Sequence, residues 1–324
     1  MLLAVIAILL GFIILIWSAD LFVAGAASIA ENLGMSPLII GLTIVSIGTS
    51  APEILVSFTA ALSDAGELAI GNAIGSNIAN IGLVLGTTLL IIPMQVYADC
   101  IRREVPALLV VTAGVGLLIL DGELSRLDGS LMLASLAFIL YLMVQREDPE
   151  ASLIEAAEEE AFPHFAMGKA WLTFALGLAL LIASSRMLVW GATEVALFVG
   201  VSKLVIGLTI VAIGTSLPEL AATIASSLRG HTEIAVGNVI GSNLFNLLAV
   251  MAIPGIIIPE ELDTFVLPRD YSSMTLLTLV MAVALYRGRR HPEAHDGRAF
   301  LGRWVGALFV ALYAGYYYWL YQTR

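Results

Sequence analysis

Ten stretches of this chain are apolar over about the length needed to cross a bilayer, which excludes most folds before any residue is considered singly. They fall at roughly 2–30, 36–62, 67–93, 104–120, 127–145, 169–198, 202–228, 232–258, 268–286 and 300–321. A hydrocarbon core about 30 Å thick takes about twenty helical residues, and helices keep their backbone groups satisfied inside it. The expected fold is therefore all-α and integral to the membrane. Composition agrees, because 59% hydrophobic and 13% charged residues with a mean hydropathy of +0.96 exclude an ordinary soluble protein. The net charge of -11 says little about partners, since much of the acid lies between Glu147 and Glu160. Cys100 is the only cysteine, which leaves no intramolecular disulfide, cysteine zinc site or iron–sulfur cluster. The apolar start at Met1 lacks a basic leader, and Gly25 within it recurs as Gly191, so it reads as a retained first helix.

The chain repeats itself. A shift of 166 positions places Thr49, Ser50, Pro52 and Glu53 on Thr215, Ser216, Pro218 and Glu219. The same shift places Gly71-Asn72 on Gly237-Asn238, Gly75-Ser76-Asn77 on Gly241-Ser242-Asn243, and Asn80 on Asn246. Each half holds about five spans, an odd number, so the second enters the membrane from the opposite side, as in the inverted repeats of secondary transporters. The expected organisation is a first repeat over 1–145, an acidic connector over 146–168 and a second repeat over 169–324. Basic residues in short loops concentrate on one side, including Arg102, Arg103, Arg146, Lys169, Arg229, Arg287, Arg289 and Arg290. That side is expected to be cytoplasmic, which puts both termini outside, the connector inside, and the protein in the plasma (inner) membrane.

Two stretches carry the chemistry, Gly48-Thr49-Ser50-Ala51-Pro52-Glu53 and Gly214-Thr215-Ser216-Leu217-Pro218-Glu219. A carboxylate at the bilayer centre costs roughly 2.5–3.5 kcal/mol on insertion scales, so it usually faces a partner, an ion or a water-filled path. Each comes with a proline that cannot donate to the carbonyl four residues earlier, which leaves backbone oxygen free beside the acid. Ser46, Thr49, Ser50, Glu53 and Ser57 share one helical stripe; Asn72, Ser76 and Asn80 form another, with counterparts in the second half and Ala212 in place of Ser46. The ligand inventory is two carboxylates plus hydroxyl, amide and carbonyl oxygens, without cysteine or histidine. That excludes a thiolate or imidazole transition-metal site and points to calcium, sodium or another hard cation. Two glutamates balance one divalent ion, and the same oxygens can hold monovalent ions instead.

The doubled GTS-x-PE and GN-x-x-GSN-x-x-N stretches resemble the alpha repeats of the calcium/cation antiporter superfamily, specifically the prokaryotic sodium/calcium exchangers. The resemblance covers nearly the whole chain and implies a secondary transporter, not an enzyme, that exchanges calcium for sodium by alternating access without a cofactor. It implies calcium coordination by Glu53 and Glu219 with the carbonyls of Thr49 and Thr215. It implies flanking sodium sites from Ser50, Ser76, Ser216, Ser242, the carbonyl of Ala212 and the backbone of Ser46, with Asn80 and Asn246 completing the centre. Some relatives carry aspartate where this chain has Asn246, and potassium-dependent ones carry further acids; two asparagines fit calcium and weaken any case for potassium. Proton-driven relatives share the paired glutamates, so a proton-driven calcium antiporter is the alternative, with a cation channel behind it.

Three features have competing readings. Serines and threonines on these helices can bond back to their own helix as readily as to an ion. The repeated glycines can serve helix packing as readily as ion access. Asp20 and Arg186, equivalent under the repeat shift, are expected either to meet as a buried ion pair between the first and sixth helices or to sit separately at helix ends facing headgroups.

Overall fold

The computed structural model describes residues 1–98, 100–145, 165–200, 212–294 and 298–323. In the first half, α1 (Leu2–Leu33), α2 (Pro37–Thr49), α3 (Ala51–Leu62) and α4 (Gly66–Ile91) lead to β1 (Met94–Val96), α5 (Val105–Leu118), β2 (Glu123–Leu124) and α6 (Arg126–Gln145). The second half runs α7 (Met167–Phe198), α8 (Ala212–Thr215), α9 (Leu217–Leu228), α10 (Thr232–Ile257), β3 (Glu260–Glu261), α11 (Ser272–Gly288), β4 (Ala299–Leu301) and α12 (Arg303–Gln322). Five helices among the described residues are long and apolar enough to cross a bilayer alone, and α2 with α3 makes a sixth span bent by 46°. The other expected spans are helical as well, as α5, α9, α11 and α12, although the start of the 202–228 stretch lies outside the described residues. Most of the acidic connector lies outside them too.

Burial orders the helices. In α4 and α10, 72% and 78% of the apolar window is buried, against 33% in α1 and α7, so the former pair is central and the latter peripheral. The peripheral pair is long: 32 residues at about 1.5 Å rise span about 48 Å, more than a hydrocarbon core, which requires tilt. Leu2, Leu9, Phe12, Ile13 and Leu172, Leu176 stay exposed on their outer faces, as lipid-facing residues do. Their inner faces meet through glycine. A Cβ on Gly25 would run into the Phe174 backbone, and one on Gly177 into the Phe22 backbone, so only glycine permits this approach. Gly11 meets Leu188 and Gly191 meets Ile8, so the two helices run antiparallel and equivalent positions exchange the same contacts.

That register argues against the first of the two readings for Asp20 and Arg186, the buried pair. With Phe22 opposite Gly177 and Gly25 opposite Phe174, Asp20 falls about seven residues, or two turns, from Arg186. Asp20 instead accepts a hydrogen bond from Arg229 Nε at 2.9 Å, because the α9–α10 turn, closed by Gly230 at φ 86°, brings that residue back to α1. Arg186, on α7, lines a groove together with Pro52 and Pro218.

Two small antiparallel ribbons bind the halves to each other. β1 pairs with β4 and β2 with β3, so each ribbon takes one strand from each half. π-helical turns recur at matching positions, Asn80–Leu85 with Asn246–Val250 and Cys100–Glu104 with Val266–Tyr271. Such turns widen a helix by one residue and often mark functional sites.

Candidate cation site

Both GTS-x-PE stretches break their helix at the serine. Ser50 sits at φ -81°, ψ 5° between α2 and α3, and Ser216 at φ -89°, ψ 5° between α8 and α9. Pro52 and Pro218 then open α3 and α9, where a missing N–H costs least, and deprive Gly48 and Gly214 of their usual donors. Glu53 and Glu219 consequently lie in the first turn of a helix, where the macrodipole favours negative charge.

The two breaks face one another. Ser50 Oγ donates to Glu219 Oε1 at 3.3 Å, from one half to the other. Glu53 and Glu219 are 1% and 2% exposed, and Glu53 Oε2 and Glu219 Oε2 have no hydrogen-bond partner among the described residues. The same holds for Ser216 Oγ, Ser242 Oγ, Asn80 Oδ1 and both amide atoms of Asn246, all on buried residues. Native proteins leave few buried polar atoms unpaired. With Asn77 Oδ1 and Asn243 Nδ2, nine such atoms lie on eight residues of the two repeated motifs, contacts that a guest could supply. Their chemistry is carboxylate, hydroxyl and amide oxygen with two amide nitrogens, and the oxygens suit a hard cation.

Of the remaining predicted residues, Thr49 and Ser76 are buried, and Thr215 is half-buried and already engaged. Ser46 is buried with its hydroxyl turned to the protein, donating to Gly41 O at 2.5 Å and lying 3.2 Å from Asn238 O, which leaves only its backbone for an ion. Ala212 begins α8, and its side chain lies outside the described atoms. Asn243, which no site assignment included, accepts from Asn80 Nδ2 at 3.2 Å and so turns the Asn80 oxygen to its unpaired position. Its presence in both copies of the GSN triplet was the available signal.

The surroundings are not symmetric. Gly71 is exposed and Asn72 half-buried, whereas their equivalents Gly237 and Asn238 are buried. On the sealed side α2 lies against α10, with Gly41 and Gly237 in backbone contact. A groove of about 340 Å³, lined among others by Pro52, Val56, Ser185, Arg186, Thr215 and Pro218, lies between α3, α7 and the second helix break.

Apolar helical spans and two facing helix breaks beside buried carboxylates suit a membrane protein that carries cations. The sodium/calcium exchanger protein family matches residues 3–145 and 169–322. Antiporter CaxA of Alkalimonas amylolytica is 45% identical over all of this chain and all of its own length. Inner membrane protein YrbG of Escherichia coli is 40% identical over 99% of this chain and 96% of its own. A solved structure of the sodium-calcium exchanger NCX_Mj superposes with a TM-score of 0.81 at 31% identity, covering 97% of each chain. The chain belongs to the sodium/calcium exchanger family and is an integral membrane cation antiporter.

Proposed function

We propose that the protein exchanges calcium for sodium by alternating access between two inverted five-helix halves, 1–145 and 169–324, joined by the connector 146–168. The observation that carries the reading is the set of unpaired buried oxygens around one glutamate from each half. Glu53 and Glu219 with the carbonyls of Thr49 and Thr215 would hold one calcium ion, whose two charges their carboxylates neutralise. Sodium ions would occupy the same carboxylates together with Ser50, Ser76, Ser216, Ser242 and the backbones of Ser46 and Ala212, with Asn80 and Asn246 at the centre. Coupling then needs no distant linkage. The species compete for shared oxygens, and two bare carboxylates are too costly to enclose in a closed site, so only a charge-compensated protein crosses between states.

The antiparallel, reciprocal packing of α1 on α7 supports the inverted relation of the halves. The excess of arginine near the α9–α10 and α11–β4 connections supports a cytoplasmic assignment for that side. With that orientation both termini are outside, the exposed end of α4 faces the exterior, and the chain is in an outward-facing state with its cytoplasmic path sealed by α2 against α10.

Calcium uptake into proteoliposomes, driven by an outward sodium gradient and insensitive to a protonophore, is the expected result. Uptake that follows the pH gradient alone would replace sodium by protons as the driving ion. Glu53→Gln and Glu219→Gln each remove one of the two charges that balance calcium, and each should abolish exchange; full activity in either refutes the site.

A further inference from the structure

The two asparagines in second place of the GN-x-x-GSN motifs are not among the residues expected to touch an ion, yet they make the same bonds in both halves. Asn72 Nδ2 donates to Glu53 O at 3.1 Å and lies 3.1 Å from Ser57 Oγ. Asn238 Nδ2 donates to Glu219 O at 3.4 Å and lies 3.0 Å from Thr223 Oγ1. In each case the amide reaches from the central helix to the backbone of the buried glutamate and to the hydroxyl four residues on, fixing the first turn of α3 or α9. A primary amide suits this place because its nitrogen carries two donors while its oxygen still accepts.

Asn238 does more. Its Oδ1 accepts from Thr49 Oγ1 at 3.0 Å, so one side chain holds the glutamate of the second half and the helix break of the first. Asn238 is fully buried, where such a bond is not contested by water. Thr49 Oγ1 also lies 3.4 Å from Ser46 O, a longer alternative within its own helix.

We infer that Asn238 is a positioning residue that sets the separation of the two halves of the cation site by linking Thr49 to Glu219. The inference rests on the calcium-site reading above. Residues that orient ligands without touching the ion commonly carry tenfold or larger effects on affinity when removed. Here the link runs through a hydroxyl that is separate from the Thr49 carbonyl, so it can be cut without deleting the carbonyl ligand.

The test is equilibrium calcium binding to the purified full-length protein, using radiolabelled calcium in detergent with sodium as competitor. Thr49→Val removes the hydroxyl and keeps the backbone; its calcium Kd should rise about tenfold, as loss of one buried hydrogen bond implies. Thr49→Ser restores the donor and should bind within about twofold of the original protein. Asn238→Ala should weaken binding at least as much as Thr49→Val, and the double variant should be no weaker than Asn238→Ala alone, because both cut one linkage. An unchanged Kd in Thr49→Val, equal loss in Thr49→Ser, or losses that multiply in the double variant would overturn the inference. Because the Thr49 hydroxyl also reaches the Glu219 carboxylate directly, a second Asn238 variant, Asn238→Ser, stands in should Asn238→Ala fail to fold, with the same expected loss and the same refuting outcomes. Absence of calcium and sodium binding by the unaltered protein would overturn the site reading as well, whereas normal binding with an indifferent Thr49→Val overturns only the link.

Discussion

Gly71 and Gly237 are equivalent in the repeat but stand in different surroundings, and adding a methyl group to each should have unequal effects. A Cβ on Gly237 would lie 2.7 Å from Leu38 O, 3.0 Å from Leu42 N and 3.1 Å from Gly41 Cα. All three are backbone atoms of α2, so none can swing aside, and overpacking of this kind costs about 1–3 kcal/mol. A Cβ on Gly71 meets none of the described residues within 4 Å. Both changes bring the same gain in helix propensity, about 1 kcal/mol, so the difference between them isolates the contact. Gly237→Ala should therefore shift the equilibrium away from the sealed arrangement of α2 on α10 by roughly five- to 150-fold. Gly71→Ala should leave it in place and, if the halves exchange roles during transport, oppose the alternative state. Hydrogen–deuterium exchange over Thr232–Ser242 and Gly66–Ser76 reads both ends of the site. Faster exchange in the first segment for Gly237→Ala, without that change in Gly71→Ala, is expected; the same response in both variants would refute the reasoning.

Ser46 has no hydroxyl counterpart, since Ala212 takes its place, and its Oγ lies between Gly41 O and Asn238 O on the sealed side. Ser46→Ala should shift exchange over Thr232–Ser242 in the same direction as Gly237→Ala but by less, about 1 kcal/mol or under. Glu260, in β3 after α10, has its carboxyl raised from its ordinary value by burial and by the nearby charges of Glu67 and Asp64. A raised carboxyl gives stability below its unfolded pKa and loses it as pH rises through the folded value, so Glu260→Gln should raise the melting temperature at pH 7 and lose that advantage below about pH 4. The Asp20–Arg229 pair joins α1 to the α9–α10 turn with both side chains about two-fifths exposed. Asp20→Asn should cost under about 1 kcal/mol, and the loss should fade in high salt when melting is compared at two ionic strengths.

The helical membrane class and the pairing of Glu53 with Glu219 could be read from residues alone, because both depend on local rules: apolar length for the first, an acid after a helix-breaking proline for the second. Partner choice across the molecule could not. Asp20 and Arg186 are equivalent by sequence, but which residues meet depends on where α1 crosses α7, and that is fixed by the close approaches at Gly11, Gly25, Gly177 and Gly191. The glycines were visible as a repeated pattern; the crossing register they permit is a property of two packed surfaces. The difference between the two ends of the site has a deeper reason for escaping a sequence reading. Gly71-Asn72 and Gly237-Asn238 are the same dipeptide, so no local preference can make one exposed and the other buried. Their unequal burial is a choice between two arrangements of one repeated motif. The positions that break the repeat then set the balance. Ser46 against Ala212 is such a position inside the site, with its one hydroxyl on the sealed side. An antiporter needs both arrangements to be reachable, and a repeat that keeps its motif residues while varying one contact beside them supplies a means of tipping one arrangement against the other.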